Sequence, residues 1–218
     1  MRIHFRLKSD NRVIPFDHQS LLVGTIHKWL GWNNVHGKVS LFSFSRLGGG
    51  EKNKDGLIFR NNTTFFFSAY DNDLLKKLIA GVQKDPLMFY GLSVNEIFIE
   101  DNPDFTGQNY FQVGSPILIK RRINNSIEHI LYNNLQAGEY LKETLNTRMK
   151  LVGLDDSSLD IQFDLNYIGA GRKRVKYNAI SNITSWCPVI IKGKPETKLF
   201  AWNVGLGNST GIGFGAIK

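Results

Sequence analysis

The sequence predicts an α+β fold made of two tandem ferredoxin-like domains, each with the element order β-α-β-β-α-β, and a glycine-rich loop at the carboxyl end. Three observations predict it. Strand-like and helix-like patterns alternate in this order along the first half of the chain. A similar alternation follows a polar linker in the second half, although no sequence repeat relates the two halves. Finally, five glycines fall within the eleven residues from Gly205 to Gly215.

The first half has the clearer pattern. Residues 2–8 alternate apolar and charged side chains, which is typical of a half-buried strand. A helix is expected next, with Asp17 as its N-cap and Gly31 at its end. The other expected elements are a strand at 38–47, a basic hairpin loop at 48–56, a strand at 62–70, a helix that starts at the cap residue Asp71, and a strand at 90–101.

The second half begins after a polar linker at residues 101–109. The predicted domains are therefore 1–105 and 110–218. The expected elements of the second domain are an apolar strand at 113–122, a hairpin that reaches 128–133, a helix over about 134–152, and strands at 159–168, 172–181, 187–192 and 198–204.

The composition indicates a basic globular protein. Its formal net charge is +8 and its pI is about 9.5, and such an excess of positive charge favours polyanionic partners. No run of about 18 apolar residues is present, and the charged start lacks the apolar core of a signal peptide. We therefore expect a cytoplasmic protein with no membrane partner. The single cysteine, Cys187, argues against an internal disulfide or a cysteine-rich zinc site.

The glycine-rich segment does not match the common nucleotide-binding loops. A dinucleotide-binding G-x-G needs a helix and a further βαβ unit after it, and only seven residues follow Gly211. A P-loop would end in Gly-Lys-Ser or Gly-Lys-Thr, which the segment lacks. Two interpretations remain open. The loop either presents backbone amides to an anion or packs closely against a neighbouring element.

Two clusters of basic residues are candidate RNA contacts. They consist of Lys120, Arg121 and Arg122, and of Arg172, Lys173, Arg174 and Lys176. Because side chains alternate along a strand, Arg172, Arg174 and Lys176 are expected on one face. A face that is simply solvated is the alternative for each cluster.

The titratable residues suggest acid–base chemistry more readily than metal chemistry. The acidic pairs Asp71/Asp73 and Asp155/Asp156 are expected to be a helix cap and a turn, so neither a metal nor another cofactor is expected. His27 lies late in the first helix beside its apolar stripe, and His36 lies in a polar loop before the next strand. From the residues alone, each is expected to be an ordinary surface or hydrogen-bonded histidine.

Four stretches resemble the CRISPR repeat-processing endoribonucleases and keep that family's order. They are "PFDHQSLLVGTIHKWL", "VHGKVSLFSFSRL", "FQVGSPILIKRR" and "VGLGNSTGIGFGAIK", and they extend from residue 15 to residue 218. The last resembles the family's carboxy-terminal signature, in which G-x-G is followed by Ser or Thr and then by G-F-G. The resemblance implies two tandem ferredoxin-like domains, which agrees with the element order above.

The resemblance also implies an activity and partners. The activity is metal-independent cleavage of CRISPR precursor transcripts within each repeat, by attack of a ribose 2′-OH, to give a 2′,3′-cyclic phosphate and a 5′-hydroxyl. The implied partners are the precursor repeat and other subunits of an RNA-guided interference complex, with the chain itself a monomer or a homodimer. One alternative is a non-catalytic repeat-RNA-binding subunit. Another is an unrelated basic α/β protein whose glycine loop is only structural.

The implied catalytic residues lie in the first domain. His36 holds the position of the family's catalytic histidine, and His27 falls where relatives carry an assisting tyrosine. The place of the family's supporting lysine is taken by Ser40, so Lys38 is the nearest candidate. In the loop, Phe214 is expected in the core, while backbone amides are expected to approach phosphates at Gly205, Gly207, Asn208 and Ser209.

Overall fold

The computed structural model describes residues 1–31 and 39–218 of the chain. The amino-terminal half contains β1 (Arg2–Lys8), β2 (Val13–Ile14), α1 (Gln19–Leu30), β3 (Phe42–Phe44), β4 (Glu51–Asn53), β5 (Gly56–Ile58), β6 (Thr63–Ala69), α2 (Asn72–Lys84) and β7 (Ser93–Glu100). The carboxy-terminal half contains β8 (Tyr110–Phe111), β9 (Ile119–Ile123), β10 (Ser126–Ile130), α3 (Ala137–Lys150), β11 (Asp160–Phe163), β12 (Gly171–Tyr177), β13 (Ile180–Trp186), β14 (Val189–Lys192), α4 (Pro195–Val204) and a short 3-10 helix (Thr210–Ile212).

The first half forms an antiparallel sheet in the order β3-β6-β1-β7. With α1 and α2, these strands follow the predicted β-α-β-β-α-β order, and β2, β4 and β5 form a small additional sheet. The apolar side chains of β1 and β6 share one buried core with both helices. The helices lie very close together, since a Cβ added at Gly81 of α2 would lie 2.0 Å from the Trp29 carbonyl oxygen of α1. The ferredoxin-like prediction is confirmed.

Local signals fix the ends of the two helices of this half. Gly31 follows α1 with a φ of 62°, a conformation that glycine adopts without strain. The Asp71 carboxylate accepts a hydrogen bond from the Asp73 amide and caps α2. By contrast, α1 begins two residues later than Asp17, and its N-cap position is held by His18, which is buried.

The second half has a separate core cluster built around α3, α4 and the sheet β11-β14-β8, with β9-β10 and β12-β13 as two hairpins. One strand prediction is wrong here, because residues 198–204 belong to helix α4. Periodicity cannot separate a short apolar run in a strand from one in a buried helix. Pro195 favours a helix start, and the buried residues of α4 extend around the helix. The predicted strand at 172–181 is also divided, by a turn at which Asn178 has a φ of 53°.

Arg2 departs from the alternating pattern of β1. It was expected on the polar face of the strand, yet it is 2% exposed. Its guanidinium lies between the rings of Phe66 and Trp202, 3.8 and 3.6 Å from their centroids. It donates hydrogen bonds to the Ser68 hydroxyl and to the carbonyls of Trp202 and Ile217. Burial lowers the pKa of Arg2 to about 9. Arg2 therefore ties β1 to the carboxy-terminal half.

Candidate nucleic-acid interface

The glycine-rich loop is held against β9 by hydrogen bonds on both sides of Asn208. The Asn208 amide donates to the Leu118 carbonyl at 2.7 Å, and the Lys120 amide donates to the Asn208 side-chain oxygen at 2.7 Å. Gln19 of α1 donates from its side-chain amide to the Ile212 carbonyl at 2.8 Å. The loop therefore contacts elements from both halves of the chain.

The glycines of this loop permit close contact between backbone segments. A Cβ at Gly207 would lie 2.4 Å from the Leu118 carbonyl oxygen, and one at Gly215 would lie 1.9 Å from the Leu206 carbonyl oxygen. Both glycines also have positive φ angles, 74° and 71°, which side chains disfavour. Phe214 is fully buried, as expected. Of the two interpretations left open by the sequence, close packing explains these glycines.

Close packing limits which amides of the loop face outward. The Gly205 amide donates to the Ala201 carbonyl at 2.8 Å, and the Asn208 amide donates to the Leu118 carbonyl. These two amides are therefore already used within the fold, contrary to the expectation that they approach phosphates. Gly207 is buried, whereas Asn208 is half-buried and Ser209 is exposed. The side chains of Asn208 and Ser209 are the accessible groups of this segment.

Gly215→Ala is expected to lower the free energy of unfolding by about 3 kcal/mol or more, because a left-handed φ and a backbone clash both oppose a Cβ. Gly153→Ala is the matched control. Gly153 has a φ of 73° but nothing within 4 Å of an added Cβ, so only the conformational cost of about 1–2 kcal/mol applies. Denaturant unfolding would measure both. Equal losses in the two variants would contradict the close-packing explanation.

His27 lies on a face of α1 that leads toward the β12–β13 hairpin. Ser20, Gly24 and His27 are spaced by four and three residues, so they share one side of the helix. The Ser20 hydroxyl exchanges hydrogen bonds with Asn178 in the turn of the hairpin, at 3.2 and 3.0 Å. Gly24 is exposed, and nothing lies within 4 Å of an added Cβ. An open helix surface about 10 Å long therefore joins the hairpin turn to the half-buried His27.

The other candidate catalytic residues, His36 and Lys38, lie outside the described residues. Of the remaining histidines, His18 is buried against Phe59, and desolvation lowers its pKa. His4 contacts Glu100 at 2.7 Å. Within residues 1–31 and 39–218, no three His, Cys, Asp or Glu side chains are grouped as a metal site would require.

The cluster on β9 is largely engaged with α3. Arg121 pairs with Glu143 at 2.7 Å and lies 4.3 Å from the centre of the Tyr140 ring. Lys120 is partly buried, and desolvation lowers its pKa. Arg122 is exposed. The three residues are therefore not equivalent, and Arg122 is the most accessible of them.

The cluster on β12 is more exposed. Arg172, Lys173, Arg174 and Lys176 are all exposed. Lys176 lies 3.4 Å from the Asp17 carboxylate, which ties the strand to the start of α1. Neither Arg172 nor Arg174 forms an ion pair with any residue of the described ranges. Their alternation puts both guanidinium groups on one face of the hairpin.

Replacing Arg172 and Arg174 together by Ala is expected to weaken RNA binding and to lower the slope of log affinity against log salt concentration. Each lost phosphate contact should remove roughly 0.7 from the slope, because fewer counterions are released. A double Ala variant at Lys76 and Lys77 of α2 removes the same formal charge elsewhere and serves as control. Filter binding at several salt concentrations measures the slope. An unchanged slope in the arginine variant would mean that this face is only solvated.

Arg148 was missed by the sequence analysis. It interrupts the apolar stripe that Leu141, Leu145 and Met149 form on α3, and a basic residue in such a stripe could have drawn attention to it. The side chain is 3% exposed and donates hydrogen bonds to the carbonyls of Val204 at 2.9 Å, Thr144 at 3.4 Å and Gly207 at 3.5 Å. Arg148 therefore lies directly beneath the glycine-rich loop.

No helix in the described part of the chain has both the length and the apolar character needed to cross a membrane. No curated protein sequence matched the chain. Three solved structures share the fold. They are a CRISPR associated protein Cas6 (23% identity, TM-score 0.82, covering 100% of this chain and 98% of that one), the product of a Cas6-related gene from Pyrococcus furiosus (20%, 0.83, 100% and 97%), and a RAMP protein described as binding different RNA substrates (20%, 0.83, 100% and 98%).

The sequence itself matches a family model. The model of the carboxy-terminal part of CRISPR associated protein Cas6 matches residues 100–218, which is more than half of the chain. The resemblance inferred from the four sequence stretches is therefore confirmed. The chain belongs to the CRISPR associated protein Cas6 family.

Proposed function

We propose that this protein is a metal-independent endoribonuclease that cleaves CRISPR precursor transcripts within each repeat and so produces mature guide RNAs. The observation that carries the proposal is the match of residues 100–218 to the Cas6 family. The likeness in fold to a RAMP protein that binds RNA agrees with an RNA substrate. The net charge of +8 is suited to a polyanion.

The surface between the hairpin and α1 supports a specific path for the RNA. The exposed arginines of β12 would contact phosphates and position the strand. From there the RNA would follow the open side of α1, past Gly24, to His27. In this arrangement the binding surface and the chemistry share one helix. The repeat RNA is the principal partner, and other subunits of an interference complex are further partners.

The proposed chemistry needs three groups at the scissile phosphate. A base removes the proton of the 2′-OH, an acid protonates the leaving 5′-oxygen, and a cation stabilises the developing negative charge. Histidine suits the first two tasks because its unperturbed pKa is near 6.5. We assign His36 and His27 to proton transfer and Lys38 to charge stabilisation.

A cleavage assay tests the proposal. The purified chain is mixed with its cognate repeat RNA in excess EDTA, and the product ends are identified by mass spectrometry. We expect cleavage at one position, a 2′,3′-cyclic phosphate on the upstream product and a 5′-hydroxyl on the downstream product. Tight binding without cleavage would favour the second candidate, a non-catalytic repeat-RNA-binding subunit. Absence of both binding and cleavage would exclude both functions.

A further inference from the structure

A cavity of about 330 Å³ lies between the glycine-rich loop, α3 and the segment that leads into β3. This volume is within the range of ligand pockets, about 300–1,000 Å³. The described residues that line it are Val39, Ser40, Thr144, Thr147, Arg148, Gly207, Asn208, Ser209 and Thr210. Val39 and Ser209 are exposed, so the cavity is open to the surface beside the loop.

The charge of this cavity is positive and uncompensated. Arg148 is the sole ionisable side chain among the described residues that line it. Every hydrogen bond that Arg148 forms within the described ranges goes to a neutral backbone carbonyl. A guanidinium has five N–H groups, so these three hydrogen bonds leave two N–H groups over. Burying a cation without a carboxylate is costly, and an anion in the cavity would offset that cost.

The hydroxyl groups of the cavity fit the same kind of ligand. Those of Thr144 and Thr147 donate to carbonyls of their own helix. Those of Ser209 and Thr210 form no hydrogen bond within the described ranges, so they are available to donate. Guanidinium N–H groups and hydroxyls, with no carboxylate among the described lining residues, suit the oxygens of a phosphate group.

We propose that this cavity binds one phosphodiester group of the RNA backbone, held by Arg148 and by the hydroxyls of Ser209 and Thr210. The inference rests on the proposed function, since it names a contact to the same RNA. A backbone phosphate is favoured over a free one because of where the cavity opens. Its wall includes the exposed Ser209 and begins at Val39, three residues after His36 in the sequence. Arg148 also supports the loop, so its contribution cannot be tested by removing it alone.

Thr147→Glu tests the proposal without removing Arg148. Thr147 is exposed and lines the cavity, so a carboxylate there should compete with the phosphate while the chain still folds. We expect RNA affinity to fall about tenfold, the size of one charged hydrogen bond. Thr147→Gln, which has the same shape without the charge, and Asn146→Glu, which has the same charge beside the cavity lining, should each change affinity by about twofold or less. Thermal unfolding checks that all three variants are folded.

A second measurement identifies the phosphate. Single neutral methylphosphonate groups are placed in turn along the repeat RNA. At one position the substitution should weaken binding to the wild-type chain but leave binding to Thr147→Glu nearly unchanged, because the two changes remove the same contact. Inorganic phosphate is tested in parallel by thermal shift.

The outcomes separate this proposal from the proposed function. If RNA binds but Thr147→Glu behaves like its two controls, the phosphate pocket is wrong and the RNA-binding function stands. If Thr147→Glu loses a stabilisation by inorganic phosphate but keeps its RNA affinity, the cavity takes free phosphate alone and the proposal is overturned. If the wild-type chain binds no repeat RNA, the proposed function fails and this inference fails with it.

Discussion

His36→Ala is expected to slow cleavage of the repeat RNA by about 10²–10⁴-fold, the usual contribution of a general acid or base. RNA affinity should stay nearly unchanged, because proton transfer matters in the transition state and not in the bound complex. The residue precedes the strand segment "SLFSFS", as the family's catalytic histidine does. Single-turnover rates at saturating protein measure the chemical step apart from binding.

Two further histidine variants sharpen this test. His27→Ala should also slow cleavage, by a smaller factor, since it is assigned the second proton transfer. His4→Ala is the control, because His4 is paired with Glu100 on β1 and has no assigned role. In the wild-type chain, the rate should pass through a maximum or plateau between two apparent pKa values. A His36→Ala rate within about threefold of wild type would remove His36 from the mechanism.

Elements determined by nearby residues could be predicted from the sequence. Gly31 ends α1 and Asp71 caps α2 because both effects act within one helical turn. The β-α-β-β-α-β order of the first half follows from periodicities within single elements. These features need no knowledge of what packs against them, which is why they were predicted correctly.

Features determined by distant residues could not be predicted in the same way. The alternation of β1 put Arg2 on a polar face, but the groups that bury it, Trp202 and Ile217, come from the far end of the chain. Likewise, the loop glycines could serve either an anion or close packing until Leu118 was found against Gly207. The apolar run at 198–204 has no periodicity that distinguishes a strand from a buried helix.

A single 2′-deoxy substitution just upstream of the scissile phosphate is expected to abolish cleavage while RNA binding persists. In the proposed mechanism the 2′-oxygen is the nucleophile, so without it the cyclic phosphate cannot form. No acid–base group can compensate for a missing nucleophile, and the loss should therefore exceed that caused by His36→Ala. Binding should persist because phosphate contacts dominate the affinity and remain in place.

The control for this substrate is a 2′-deoxy substitution one nucleotide further upstream. It changes the sugar equally but leaves the attacking hydroxyl intact, so its cleavage rate should remain close to that of the all-ribose RNA. Gel separation of the products in excess EDTA measures both rates. Cleavage of the first substrate at the normal position would require another nucleophile, most simply a water activated by a metal ion. Histidines acting on the 2′-OH would then no longer explain the reaction, whatever the His36→Ala variant showed.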